Sequence, residues 1–143
     1  MKLLALDLGD RRIGLAVAHD SSGQAFPAGH LLRTKLSQDL QAVLNAAKER
    51  GAEGIVVGIP YALDGNVSRQ AKLAQGFVRA LNKETALPVF QVDESFTSFE
   101  AEGLLREAGV EPSRNKGSVD EAAAVLILQR FLEQQADGSD INT

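Results

Sequence analysis

The sequence predicts an α/β fold in which a mixed sheet of five strands is flanked by helices. Two apolar runs typical of strands come first, a third strand candidate with polar residues follows, and no helical pattern interrupts the three. Two further apolar runs then alternate with segments whose apolar residues recur at helical spacing. The element order is therefore βββαβαβαα. Strands joined by tight turns are antiparallel and strands joined through helices are parallel, so the predicted sheet is mixed.

The first two strands are predicted to form a hairpin. An apolar run over residues 3–6 ends at Asp7, and a second run covers residues 13–18 after the turn at residues 9–12. So short a connection joins neighbouring antiparallel strands. The first run has apolar residues on both faces, which places it in the middle of the sheet. A third strand is expected at about residues 28–33.

The next four elements alternate between helix and strand. Each predicted helix has apolar residues three or four positions apart, and each predicted strand is a short apolar run bounded by glycine, proline or polar residues. In chain order, the predictions are a helix at residues 36–47, a strand at 54–59, a helix at 67–81 and a strand at 89–93.

Two capping boxes are predicted to open the last two helices. The sequence TSFE at residues 97–100 opens a helix that Gly109 ends, and SVDE at residues 118–121 opens a helix that runs from residue 119 to about residue 134. The loop at residues 114–117 contains glycine and two cations. We therefore expect this loop to be mobile and to become ordered when substrate binds.

The composition is that of a single globular domain. Of the 143 residues, 44% are hydrophobic and 24% are charged, and we expect one domain at residues 1–135 followed by a polar, disordered tail at residues 136–143. No apolar stretch reaches the ~20 residues of a membrane span, and no signal-peptide pattern is present. Together with the absence of cysteine, these features predict a cytoplasmic protein that does not enter membranes.

The residue types present restrict the chemistry. Without cysteine there are no disulfides and no thiolate chemistry, and two histidines are too few for a His-rich zinc site. A bound metal would therefore have oxygen ligands, which indicates Mg²⁺ or Mn²⁺. The net charge of −4 argues against a protein that coats nucleic acid indiscriminately, but it does not exclude a local basic patch.

Three acidic residues are predicted to meet at one edge of the sheet. Strands one, four and five run parallel, so their carboxyl ends share an edge, which is where open α/β sheets bind ligands. Asp7 ends the first strand. Strand side chains alternate between the two faces, and Glu94 continues the more apolar face of the fifth strand, so we favour Glu94 over Asp93 as the inward-pointing acid. Asp120 stands near the start of an apolar helix that must pack on the sheet. Asp20 is predicted to be a turn residue roughly 20 Å away.

These acids have both a structural and a chemical interpretation. Taken alone, Asp7 could accept hydrogen bonds in the following turn, and Asp120 could complement the helix dipole. Together the three acids could hold two divalent cations about 3.5–4 Å apart, an arrangement that catalyses phosphodiester hydrolysis. When no metal is bound, repulsion among the carboxylates would raise the pKa of one of these acids. Basic residues expected near the same edge could bind phosphates: Arg11, Arg12, Arg69, Lys72, Arg114 and Lys116.

Four motifs resemble those of the YqgF (RuvX) family of ribonuclease H-like nucleases, and they cover nearly the whole chain. They are DLGDRRIGLA at residues 7–16, VGIP at 57–60 with DG at 64–65, DESFTS at 93–98 and KGSVDEAA at 116–123. The resemblance implies a ribonuclease H-like fold. It also implies that Asp7, Glu94 and Asp120 are the catalytic, metal-binding acids, the same three that topology favours. One departure is Ser95, because the family usually has arginine at this position.

The resemblance implies a nuclease but leaves its substrate open. Family members are implicated in processing the 5′ end of precursor 16S rRNA and are similar to a resolvase of four-way DNA junctions, so precursor rRNA and branched DNA are both expected partners. A homodimer is left open as well. The alternative outside the enzymes is a non-catalytic module that only binds nucleic acid. Actin-like ATPases share the Asp-x-Gly hairpin, but they need a second domain and a second phosphate loop, for which 143 residues leave no room.

Overall fold

The computed structural model describes residues 1–61, 67–94 and 97–138, and of residues 97–99 and 137–138 it describes the backbone only. The predicted order βββαβαβαα is confirmed within these residues. The strands are β1 (Lys2–Leu8), β2 (Arg12–His19), β3 (Phe26–Leu32), β4 (Gly54–Ile59) and β5 (Val89–Asp93). The helices are α1 (Leu36–Glu49), α2 (Arg69–Glu84), α3 (Thr97–Glu107) and α4 (Lys116–Gly138), and a 3-10 helix at Pro112–Arg114 precedes α4.

The five strands form one mixed sheet in the order β3-β2-β1-β4-β5. The β1–β2 and β2–β3 pairs are antiparallel, whereas β4 runs parallel to both β1 and β5. The carboxyl ends of β1, β4 and β5 therefore share one edge, as the sequence predicts. The register places Asp7 opposite Gly14 and Ile59 beside Asp93.

The two faces of the sheet bury different side chains because strand residues alternate in direction. Helices α1 and α2 pack on the face that carries Leu4 and Leu6. Helix α4 packs on the other face, where Ile127 contributes to a core with Leu3 and Ala5. Asp7 follows Leu3 and Ala5 at strand spacing and is buried, so its side chain belongs to the face covered by α4.

Two predictions about the C-terminal third of the chain are wrong. Helix α4 begins at Lys116, so Ser118 lies inside the helix instead of capping it, and the amide of Val119 donates to the carbonyl of Asn115. The loop predicted at residues 114–117 is instead divided between the 3-10 helix and the first turn of α4. The reason is local, because the Glu111 side chain accepts from the amide of Ser113 and caps the 3-10 helix directly before α4.

The ends of α3 and α4 bear on two further predictions. Helix α3 begins at Thr97, the first residue of the predicted capping box, although the side chains of Thr97, Ser98 and Phe99 lie outside the described residues. It ends before Gly109, whose φ of 82° requires a residue that tolerates the left-handed region. Helix α4 runs to Gly138, past the predicted domain boundary at residue 135, and residues 139–143 lie outside the described part. None of the described helices is long and apolar enough to span a membrane.

Candidate active site

Two buried carboxyl groups lie in contact at the shared strand edge. The side chains of Asp7 and Glu94 are each 6% exposed, and Glu94 directly follows β5, where its amide donates to the carbonyl of Ile59 over 3.0 Å. Burial, the negative charge of Glu94 and a hydrogen bond to the Glu94 carboxyl group raise the pKa of Asp7 well above its ordinary value. Two adjacent buried carboxylates repel each other, so without a cation the pair favours the state in which one carboxyl group is protonated.

Asp120 lies near this pair on the first turns of α4. Its negative charge contributes to the raised pKa of Asp7. Partial burial raises the pKa of Asp120 itself, and the interactions of Asp120 with Arg12 and His30 oppose that shift without cancelling it. Within the described residues, no three acidic or histidine side chains are already close enough to hold one metal ion. The arrangement is thus a contacting pair with a third acid nearby.

Two glycines let α4 approach the sheet closely enough to bring Asp120 to the pair. A Cβ atom at Gly14, on β2 opposite Asp7, would overlap the backbone carbonyl of Asp120. A Cβ atom at Gly58, on β4, would lie 2.9 Å from the carboxyl carbon of Glu94 and would also collide with Ile127 of α4. Both positions therefore require glycine for the helix and the acids to occupy their places.

A partly buried ion pair fixes the turn between β1 and β2. The guanidinium group of Arg33 donates to the carbonyl of Gly9 over 2.9 Å and to the carboxylate of Asp39 over 3.2 Å. Asp39 is 4% exposed and also accepts from the amide of Thr34 over 2.9 Å. The amide of Arg33 donates to the carbonyl of Arg11 over 2.8 Å. These contacts hold the turn that follows Asp7 and carries Arg11 in one conformation.

The basic residues singled out by sequence are only partly brought together. Arg11, Arg12 and Lys116 line one cleft beside Asp120. Arg114 is exposed at the end of the 3-10 helix, and Arg69 is exposed at the first residue of α2; neither lines this cleft.

The structure also bears on the acids that sequence reasoning set aside. Asp93 is exposed where Glu94 is buried, so the parity argument is confirmed. Asp20 lies in the turn after β2, where its carboxylate accepts from the N-terminal amine of Met1 over 2.9 Å. Asp20 adjoins the amino end of β1, which is the opposite end of the strand from Asp7. Two residues of the family-like motifs, Asp64 and Ser95, lie outside the described residues.

Several residues of the site escaped sequence reasoning. Arg33 and Asp39 form the ion pair that fixes the turn between β1 and β2, and Arg106 of α3 lines the cleft beside Asp120. His30 on β3 lies 3.0 Å from the carboxylate of Glu121 and so ties the edge strand to α4. The only available signal was Asp39, an acid on the apolar face of α1, because a buried acid requires a partner.

Comparison with known proteins identifies close relatives. The RuvX family profile, described as Holliday junction resolvase, matches residues 1–134. A protein of Synechococcus sp. (strain ATCC 27144) named "Putative pre-16S rRNA nuclease" is 42% identical over 134 residues, which cover 94% of this chain and 90% of the relative. A protein of the same name from Koribacter versatilis (strain Ellin345) is also 42% identical over 134 residues, covering 94% and 88%.

Solved structures support the fold class. RuvC of T. thermophilus in complex with a Holliday junction substrate aligns with a TM-score of 0.57 at 17% identity, covering 95% of this chain and 96% of RuvC. The fowlpox virus resolvase with Holliday junction DNA aligns with a TM-score of 0.58 at 10% identity, covering 94% of this chain and 98% of the resolvase. At such identities the likeness concerns the fold alone, and the predicted ribonuclease H-like fold is confirmed.

Proposed function

This chain belongs to the RuvX family, and from that premise we propose that it is a metal-dependent endonuclease that processes the 5′ end of precursor 16S rRNA. One observation carries the chemistry: two buried carboxyl groups, Asp7 and Glu94, lie in contact at the carboxyl edge of the sheet with Asp120 nearby. A module that only binds nucleic acid gains nothing from burying acids against each other, because they repel phosphates and cost stability.

The donor set fits Mg²⁺ or Mn²⁺. All three candidate ligands are carboxylates, and hard divalent cations of this kind prefer oxygen. The raised pKa of Asp7 fits as well, because a bound cation would favour the ionised carboxylates that burial and mutual repulsion disfavour. We propose Asp7, Glu94 and Asp120 as both the metal ligands and the catalytic acids. When bound, two such cations activate water and stabilise the leaving oxygen of a phosphodiester.

The chain's own residues would orient the substrate around this centre. The guanidinium charge of Arg12 lies close enough to Asp120 to oppose the rise in the pKa of that carboxyl group, so it can also neutralise charge on a neighbouring phosphate without leaving the site. Arg11 and Lys116 line the same cleft and would contact an adjoining phosphate. Arg69 and Arg114 are proposed as outer contacts that attract nucleic acid at longer range.

The choice of RNA over branched DNA rests on the relatives. The two relatives described above, each 42% identical to this chain, carry the name of a pre-16S rRNA nuclease, whereas the two junction resolvases compared above share 17% and 10% identity with it. Resolution of four-way junctions is therefore the second candidate. Processing of precursor rRNA would place the protein in the cytoplasm, where bacterial ribosomes are assembled.

A cleavage assay tests this proposal. Purified protein is given a 5′-extended 16S rRNA fragment, a four-way DNA junction and a plain RNA duplex, each with Mg²⁺, with Mn²⁺ or with EDTA. We expect metal-dependent cuts near the mature 5′ end of the rRNA fragment and at least about tenfold slower cutting of the other substrates. Cutting of the junction alone would favour the resolvase, and binding without cutting in either metal would favour the binding module.

A further inference from the structure

A cleft with a volume of about 420 Å³ opens beside Asp120. Its walls come from four places: the turn between β1 and β2, helix α3, the 3-10 helix and the start of α4. Four cations line it, namely Arg11, Arg12, Arg106 and Lys116. Pockets of about 300–1,000 Å³ hold small ligands, so this cleft can take one nucleotide but cannot admit a double helix.

The charges of the cleft are balanced, which distinguishes it from a plain phosphate-binding patch. Besides the four cations it is lined by four acids: Asp10, Glu102, Glu111 and Asp120. A run of phosphates would meet repulsion from these acids as well as attraction from the cations. A single nucleotide has complementary groups for both, because its phosphate accepts from cations while the amino groups of its base donate to carboxylates.

One wall of the cleft is held in place by its own hydrogen bonds. The carboxylate of Glu111 accepts from the hydroxyl of Ser113 over 3.1 Å, and the side-chain amide of Asn115 donates to the carbonyl of Glu111 over 2.8 Å. The buried Pro112 anchors the same turn. This wall is therefore ordered before any ligand arrives, which lowers the entropic cost of binding.

The wall formed by α3 offers a cation that is available to a ligand. Arg106 on α3 lies 3.7 Å from Glu102, and its side chain is 59% exposed. An exposed pair one helical turn apart is weak, so the guanidinium group can leave Glu102 for a ligand at little cost. A guanidinium plane can also stack on an unpaired base.

We propose that this cleft binds one unpaired nucleotide next to the bond that is cut, with Arg106 against its base or phosphate. This assignment rests on the proposed nuclease function and adds a substrate class to it: nucleic acid that is single-stranded at the cleavage site. Paired nucleotides are excluded because neither strand of a double helix can enter the cleft while stacked and paired.

Binding measured without cleavage tests the cleft independently of catalysis. A fluorescent RNA oligonucleotide is titrated with protein in EDTA, first as a single strand and then annealed to its complement. We expect wild-type protein to bind the single strand at least about tenfold more tightly, in keeping with the contribution of one stacked base. Arg106→Ala should lose most of this preference by weakening single-strand binding. Arg79 is an exposed residue of α2, which packs on the face of the sheet opposite α4; Arg79→Ala removes an equal charge and should keep the preference.

The outcomes separate the cleft from the nuclease function. Equal affinity of the wild type for both RNAs would overturn the cleft assignment, as would a preference that Arg106→Ala leaves intact. Because Arg106 is exposed, its replacement is expected to leave the melting temperature unchanged, which is checked on the same sample. If the preference holds but no substrate is cut with metal, the nuclease function fails and the cleft remains a single-strand site. If RNA is cut without any strand preference, only the cleft assignment fails.

Discussion

Replacing Asp7 by asparagine is expected to lower the cleavage rate on the order of a thousandfold, because the change removes a charge that the proposed metal site requires. The same change should leave the metal-free protein at least as stable as the wild type at neutral pH. The reason is that Asp7 is buried beside Glu94, so its ionised form is disfavoured in the folded protein. Asparagine has a similar size and carries no charge that must be desolvated.

The pH dependence of stability follows from the same pKa. The pKa of Asp7 is higher in the folded protein than in the unfolded chain, so between the two values the folded state binds more protons. The free energy of unfolding of the wild type therefore falls as the pH rises through this window. The stability advantage of Asp7→Asn should be present at neutral pH and disappear at acidic pH, below the ordinary pKa of an aspartate. Thermal melting in EDTA over this range measures it.

Asp20→Asn is the matched control for this prediction. It makes the same chemical change at an exposed turn, where the pKa of Asp20 is lowered by its hydrogen bond to the N-terminal amine. Cleavage by Asp20→Asn should equal that of the wild type. An Asp7→Asn protein that is destabilised yet fully active would show that Asp7 has a structural role, as a buried acceptor in the turn, and would remove the basis for the proposed mechanism.

Replacing Gly14 by alanine is expected to have the largest effect on stability. The added Cβ would collide with the backbone of Asp120, and a helix backbone cannot move aside as a side chain can. Helix α4 would have to shift away from the sheet, at a cost of about 1–3 kcal/mol or more. The shift would also displace Asp120 from Asp7 and Glu94, so the cleavage rate per folded molecule should fall.

Gly103→Ala provides the comparison for Gly14→Ala. A Cβ atom at Gly103, in the middle of α3, would have no neighbouring atom within 4 Å. Alanine there should leave stability unchanged or raise it by up to about 1 kcal/mol, because alanine favours helix. Urea unfolding of both variants measures the difference. Unchanged stability of Gly14→Ala would mean that α4 does not pack against β2 as closely as described.

The sequence was sufficient to predict the sheet and the acids it positions. Strand side chains alternate with a period of two, so the apolar face of β5 selects Glu94 over Asp93 once the strand is located. The hairpin and the two crossovers then leave little freedom in topology, which places Asp7 and Glu94 at one edge. Local patterns and simple chain geometry together determine this part of the structure.

Interactions between distant segments could not be predicted in the same way. Arg33 contacts Gly9 and Asp39 because of the path that the chain takes from β3 into α1, and no periodicity encodes that path. Arg106 reaches the cleft because α3 folds back beside α4. The start of α4 was misplaced because SVDE at residues 118–121 matches a capping box, while the 3-10 helix before it already directs the chain into helix.

Diffraction at the manganese absorption edge, from crystals soaked in Mn²⁺, tests directly whether the three acids form a metal site. We expect anomalous density within about 2.0–2.4 Å of a carboxylate oxygen of Asp7 and of at least one of Glu94 and Asp120. Crystals of Asp7→Asn, treated in the same way, should lose this density. Manganese bound only at Asp20 or Asp93, with Asp7, Glu94 and Asp120 free of metal, would contradict the proposed active site.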